Sequence, residues 1–129
     1  MTTTTWDGAM STFHQNYGYD GKTMEKVIVI PTLGLSITNA TDLLGIPQPD
    51  YIKMDVDGIE HLILRGGMKV IAKAKGILIE INDEFKVQAD EATNNLIEAG
   101  FTLKEKRHAD FFDTVTTTAG HTYNQIWVK

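Results

Sequence analysis

The chain has 129 residues and no cysteine, so it is long enough for one domain with a single core, and disulfides and thiolate metal sites are excluded. Its net charge of -5 argues against nucleic acid as the main partner, because phosphate binding needs a basic face. No apolar run is long enough to span a membrane, and Met1-Thr2-Thr3-Thr4-Thr5 lacks the basic start and apolar stretch of a secretory signal. The expectation is a single cytoplasmic domain over residues 1–129 that engages neither membrane nor nucleic acid.

Residues 1–26 are polar and punctuated by Trp6, Phe13, Tyr17, Gly18, Tyr19 and Gly21, and read as irregular structure or a short hairpin. Val27-Ile28-Val29-Ile30 is β-branched and stops at Pro31, which predicts a short strand. Thr38 or Thr41 is placed to cap a short helix around Asp42-Leu43-Leu44 that ends at Gly45. A strand over 51–56 follows. Ile59, Leu62, Ile63, Val70 and Ile71 then recur at helical spacing, with Gly66-Gly67 expected to break the helix into two pieces. Residues 76–81 form an apolar strand, 90–99 a helix stopped by Gly100, 101–107 a strand, 108–121 a loop and 123–128 the last strand.

Strands alternating with helices predict a parallel α/β sheet, with an antiparallel final strand because no helix separates the last two. Ligands of such sheets bind beyond the carboxyl ends of the strands. Those ends carry Asp55, Val56 and Asp57, then Glu80, Asn82 and Asp83, then the loop that opens at His108. The resulting acidic rim suits a cationic ligand, a divalent metal or a hydroxyl to be deprotonated.

Each of these residues also has a plainer reading. Asp57 followed by Glu60 has the spacing of a capping box, with Asp57 accepting from the backbone three residues on and Glu60 reaching back. Asp55 ends an apolar strand, where an unpaired carboxylate is costly to bury, which favours a functional role. Glu80 lies between Ile79 and Ile81 and is either paired with a lysine or turned toward the ligand crevice. His108, Asp110, Asp113 and His121 match no strong metal motif, so no metal is assigned and a solvated loop is expected. His61 is expected to face solvent.

The run Tyr51-Ile52-Lys53-Met54-Asp55-Val56-Asp57-Gly58-Ile59-Glu60, followed by Ile63-Leu64-Arg65-Gly66, resembles the FkbM-like methyltransferases, departing only at Asp57 where that family usually has Glu. Ile77-Leu78-Ile79-Glu80-Ile81 and Leu96-Ile97-Glu98-Ala99-Gly100-Phe101 are similar to the family's following strand and helix. Two other groups share Asp55-Val56-Asp57. Haloacid-dehalogenase-type phosphatases have threonine where Ile59 stands, and metal-dependent glycosyltransferases offer only the tripeptide. A non-catalytic α/β module is the remaining alternative.

The resemblance implies a Rossmann-like, class I methyltransferase sheet that uses S-adenosylmethionine, with O-methyl transfer to a hydroxyl of a small molecule or glycan. It implies Asp55, Asp57 and Glu80 as catalytic residues, Asp55 and Val56 at the cofactor, and Glu60, Asn82 and His108 at the acceptor. Residues 51–56 would be the family's fourth strand and 76–81 its fifth. The N-terminal strands and the glycine-rich cofactor loop have no counterpart in this sequence. The chain is therefore expected to be the carboxyl part of the domain and inactive alone, with an exposed sheet edge open to a second copy or a partner chain.

Overall fold

The computed structural model describes residues 15–24, 31–108 and 121–129. Its elements in chain order are α1 (Ile37–Leu44), β1 (Tyr51–Met54), α2 (Glu60–Ile71), β2 (Gly76–Asn82), α3 (Lys86–Glu98), β3 (Thr102–Arg107) and β4 (Thr122–Val128). The strand expected at 27–30 and most of the expected loop, residues 109–120, lie outside the described residues.

The four strands form one sheet in the order β1-β2-β4-β3. β1 pairs with β2 in parallel, Met54 opposite Ile79. β4 is antiparallel to both its neighbours, with Glu80 opposite Asn124 and Arg107 opposite Asn124. The final strand thus runs antiparallel as expected. The sheet is not mostly parallel in its pairings, however: β4 inserts between β2 and β3, so a single pairing is parallel. β1, β2 and β3 still point the same way, which leaves their carboxyl ends and the start of β4 on one rim.

Alternation gives the sheet two faces. Ile77, Ile79 and Ile81 of β2 are buried together with Met54, Trp127, Leu64, Ile71, Ala92 and Leu96, so α2 and α3 cover this face. Burying a side chain such as Leu64 or Ile79 stabilises by about 1.5–3 kcal/mol each. The opposite face carries Lys53, Leu78, Glu80, Asn124 and Ile126, all but Lys53 half-buried, and toward the rim Asn82 and Thr122, which are buried.

Several local expectations are corrected. α2 runs unbroken through Gly66-Gly67. Each glycine costs about 1 kcal/mol in a helix, and packing explains its presence: a Cβ on Gly67 would lie 2.9 Å from Ile37 Cδ1, and one on Gly66 would lie 3.2 Å from Ser36 Cβ. The glycines let α1 approach. α1 is capped not by Thr38 or Thr41 but by Ser36, whose hydroxyl accepts from the Asn39 N–H at 3.1 Å; Thr41 instead donates to the Thr38 carbonyl. α3 starts at Lys86, four residues before the expected Asp90, because Phe85 already accepts from Ala89. β1 ends at Met54 rather than residue 56.

Candidate functional site

The β1–α2 turn is built from two left-handed residues, Asp57 at φ 53° and Gly58 at φ 100°. Aspartate tolerates that region better than most side chains. Gly58 is required on a second count, since a Cβ there would lie 2.7 Å from the Gly18 carbonyl oxygen. Residue 59 becomes the N-cap of α2, without a side-chain cap. The expected capping box is therefore absent. With Asp57 left-handed and two residues upstream of the cap, its carboxylate makes no cap bond, and Glu60 reaches back to the Val56 N–H (3.1 Å) instead.

Glu60 is 1% exposed. Its second oxygen accepts from the Gln88 side-chain amide, and the Gln88 oxygen accepts from the Asn82 N–H at 2.9 Å. A buried chain of hydrogen bonds thus runs from the tip of β1 through α2 and α3 to the tip of β2. Burial pushes the Glu60 carboxyl above its ordinary value, against the hydrogen bonds that favour its charge. Asn82 is equally enclosed. Its oxygen accepts from Glu84 N–H (3.0 Å) and its amide donates to the Tyr19 carbonyl (3.4 Å).

Residues 15–24 lie across this rim as a short hairpin. Tyr17 and Thr23 form a bridge, and Met24 N–H donates to Asn16. The hairpin meets Gly58 through Gly18 and Tyr19, and Asn82 through Tyr19. It meets Phe85 through Gly21 and through Tyr17, whose ring is edge-on at 5.3 Å.

The acids expected at the site fall into two groups. Asp55, Asp57 and Glu80 stand at the outer surface of the tips. Asp55 is 48% exposed and paired with Lys53 at 3.2 Å. Burial, then the Asp55 charge, raises the Asp57 carboxyl. Glu80 is pushed up to about 7, first by burial and then by Asp55, Glu60 and Asp57, with Lys53 opposing. No lysine among the described residues forms an ion pair with Glu80, although the Lys53 charge opposes the shift. Val56 is 37% exposed beside Asp55. Glu60 and Asn82, by contrast, sit inside the chain of buried hydrogen bonds and reach no solvent surface.

His108 is apart from both groups. Its ring packs at 4.1 Å on Tyr123, which is opposite Ile81 and so belongs to the helix-covered face. His61 does not face solvent: it is 2% exposed, edge-on to Phe85 at 5.8 Å, with Nδ1 unpaired. Desolvation lowers its pKa. It is buried because α2 turns that face toward α3.

Sequence reasoning missed Gln88 and the packing of the hairpin on the rim. Gln88 lies one and two turns ahead of Ala92 and Leu96 on the buried face of α3, but it precedes the expected helix start at Asp90, so that spacing gains meaning only once α3 begins at Lys86.

Among the described residues no helix is long and apolar enough to cross a membrane. Comparison with curated proteins gave no match, and comparison with solved structures gave none either. A family model described as the methyltransferase FkbM domain matches residues 5–103, which include the β1 tip, the buried hydrogen-bond chain and Glu80. The chain belongs to the FkbM methyltransferase domain family.

Proposed function

We propose that this chain takes part in S-adenosylmethionine-dependent O-methyl transfer to a hydroxyl of a small molecule or glycan, with Asp55, Asp57 and Glu80 as the groups that act. The observation that carries the reading is the placement of Glu80. It is a half-buried carboxylate with a pKa raised to about 7, next to the acidic β1 tip of a methyltransferase-family domain. A base with that pKa is well matched to taking a hydroxyl proton near neutrality. Asp55 and Asp57 would hold the reacting partners in line, which is where methyl transfer gains most.

When bound, S-adenosylmethionine supplies an electrophilic methyl group on a cationic sulfonium. The described residues fit that charge: the carboxylates of Asp55 and Asp57 stand at the tip of β1, with exposed Val56 as an apolar neighbour. Asp55 and Val56 are the residues that would hold it. For the nucleoside, the described residues contain no glycine-rich loop between a strand and the helix it opens: Gly18 and Gly21 belong to the hairpin and Gly66-Gly67 to the middle of α2.

We infer further that β1 pairs with a second copy or a partner chain. β1 is the edge strand of the described sheet, and an unpaired edge favours strand addition. The test is sedimentation across protein concentration. Association lost on changing Ile52 or Tyr51 to proline is expected; a monomer at high concentration contradicts pairing at that edge.

The catalytic reading is tested by methyl transfer with the associated protein. Glu80→Gln is expected to lower kcat by roughly 10²–10⁴ with little change in cofactor affinity, the range for loss of a general base. An unchanged kcat removes Glu80 from the mechanism.

A further inference from the structure

The two purely polar side chains of β4 that alternate onto the face opposite α2 and α3, Thr122 and Asn124, stand directly across from Asn82 and Glu80. Directly opposed residues of an antiparallel pair share a face with Cβ atoms about 4.5–5.5 Å apart. Thr122 is 7% exposed and its hydroxyl has no hydrogen-bond partner. An orphaned buried hydroxyl costs about 1–3 kcal/mol, and a sequence would lose that cost simply by placing valine there. Next to it along the same face, away from the rim, the surface turns apolar. Leu78, Ile126 and Val128 line a shallow trough, and Tyr51 lies over Gly76, whose Cβ position is 3.1 Å from the Tyr51 ring.

We propose that Thr122 and Asn124, with Glu80, form an acceptor subsite on the sheet face opposite α2 and α3, and that it takes an amphipathic alcohol. The hydroxyl sits at this polar row and the apolar flank lies along Leu78, Ile126 and Val128. The alcohol oxygen accepts from Thr122 or from the Asn124 amide while its proton points to the Glu80 carboxylate. The polar row alone would suit a sugar as well. The trough selects against one, because a fully hydroxylated ring laid on three aliphatic side chains leaves its hydroxyls without partners. The inference rests on reading Glu80 as the residue that meets the acceptor. It narrows the acceptor to one with an apolar flank adjoining the hydroxyl.

The test is an amide-resolved NMR titration of the full chain with 1-octanol, octyl methyl ether and glucose, without S-adenosylmethionine, so that failure of methyl transfer leaves it intact. Saturable shifts with octanol at Leu78, Asn124 and Ile126 are expected, weaker with the ether and absent with glucose. Thr122→Val is expected to weaken octanol binding roughly two- to tenfold while raising the melting temperature, opposite signs that a merely structural threonine does not give. Asn124→Ala, at a half-buried position, is expected to weaken octanol without altering the fold. Equal binding of octanol by wild type and both variants overturns the proposal, as do glucose binding at the same amides and concentration-dependent shifts of Leu78 and Ile126 without probe, which would give the face to a second copy.

Discussion

The side-chain amide of Gln88 donates to the buried carboxylate of Glu60, while its oxygen accepts from the backbone of Asn82 at 2.9 Å. Through these two residues the tips of β1 and β2 are fixed relative to each other from below, as the hairpin fixes them from above. Glu60 thus holds the two tips in place in this chain.

Gln88→Leu removes both bonds and leaves a buried carboxylate oxygen and the Asn82 N–H unpaired. A loss of about 2–5 kcal/mol is expected in urea denaturation, at the upper end because one group is a carboxylate. Gln88→Glu restores an acceptor for Asn82 but sets two carboxyl groups together, so its stability should recover as pH falls and one of them is protonated.

Gly58→Ala tests the hairpin contact. The new Cβ would meet the Gly18 carbonyl oxygen at 2.7 Å, and φ is 100°. A cost of about 1–3 kcal/mol is expected from the strained backbone, with faster hydrogen exchange at Gly18 and Gly21, whose amides close the hairpin. Unchanged exchange would mean that the hairpin holds to the rim without Gly58.

Glu80 makes stability depend on pH with a definite sign. Its folded pKa, about 7, lies above the ordinary carboxylate value, so the folded state binds more protons between pH ~4.5 and ~7. This contribution is fully present below that window and is lost as pH rises through it. Allowing for solvent screening of a half-exposed group, the loss is on the order of 1 kcal/mol. Wild type minus Glu80→Gln, followed by thermal unfolding across pH, isolates the slope; parallel curves would show that Glu80 titrates normally.

His61 contributes the opposite slope. Burial lowers its pKa, so the unfolded chain takes up the proton first and stability is lost as pH falls below ~6.5. His61→Phe keeps the ring against Phe85 and is expected to be the more acid-stable protein between pH 7 and 5. An identical acid profile would contradict a neutral buried His61.

Much of this was legible from periodicity. The apolar runs of β1 and β2, the helical spacing of Leu64 and Ile71, and the stop at Gly100 gave the alternation of strands and helices. Gly66-Gly67 was misread because a glycine pair inside a helix signals a break only when nothing packs on it, and Ile37 does. His61 was misread because α2 is buried on two sides, against the sheet and against α3, which a single apolar stripe does not announce. The acids at the tips were found, but their division was not. Asp55 and Glu60 look alike in a motif, whereas one is half exposed and the other is enclosed by a glutamine 28 residues away. The role of β4 was hidden because Thr122 and Asn124 gain meaning only from the register that sets them against Asn82 and Glu80.

Contact between the β1 tip and S-adenosylmethionine is read by an amide-resolved NMR titration with the millimolar cofactor, which detects weak binding residue by residue. Saturable shifts are expected at Asp55, Val56, Asp57 and Gly58 that disappear in Asp55→Asn. Shifts absent from these four amides, or unchanged by the substitution, would contradict that contact.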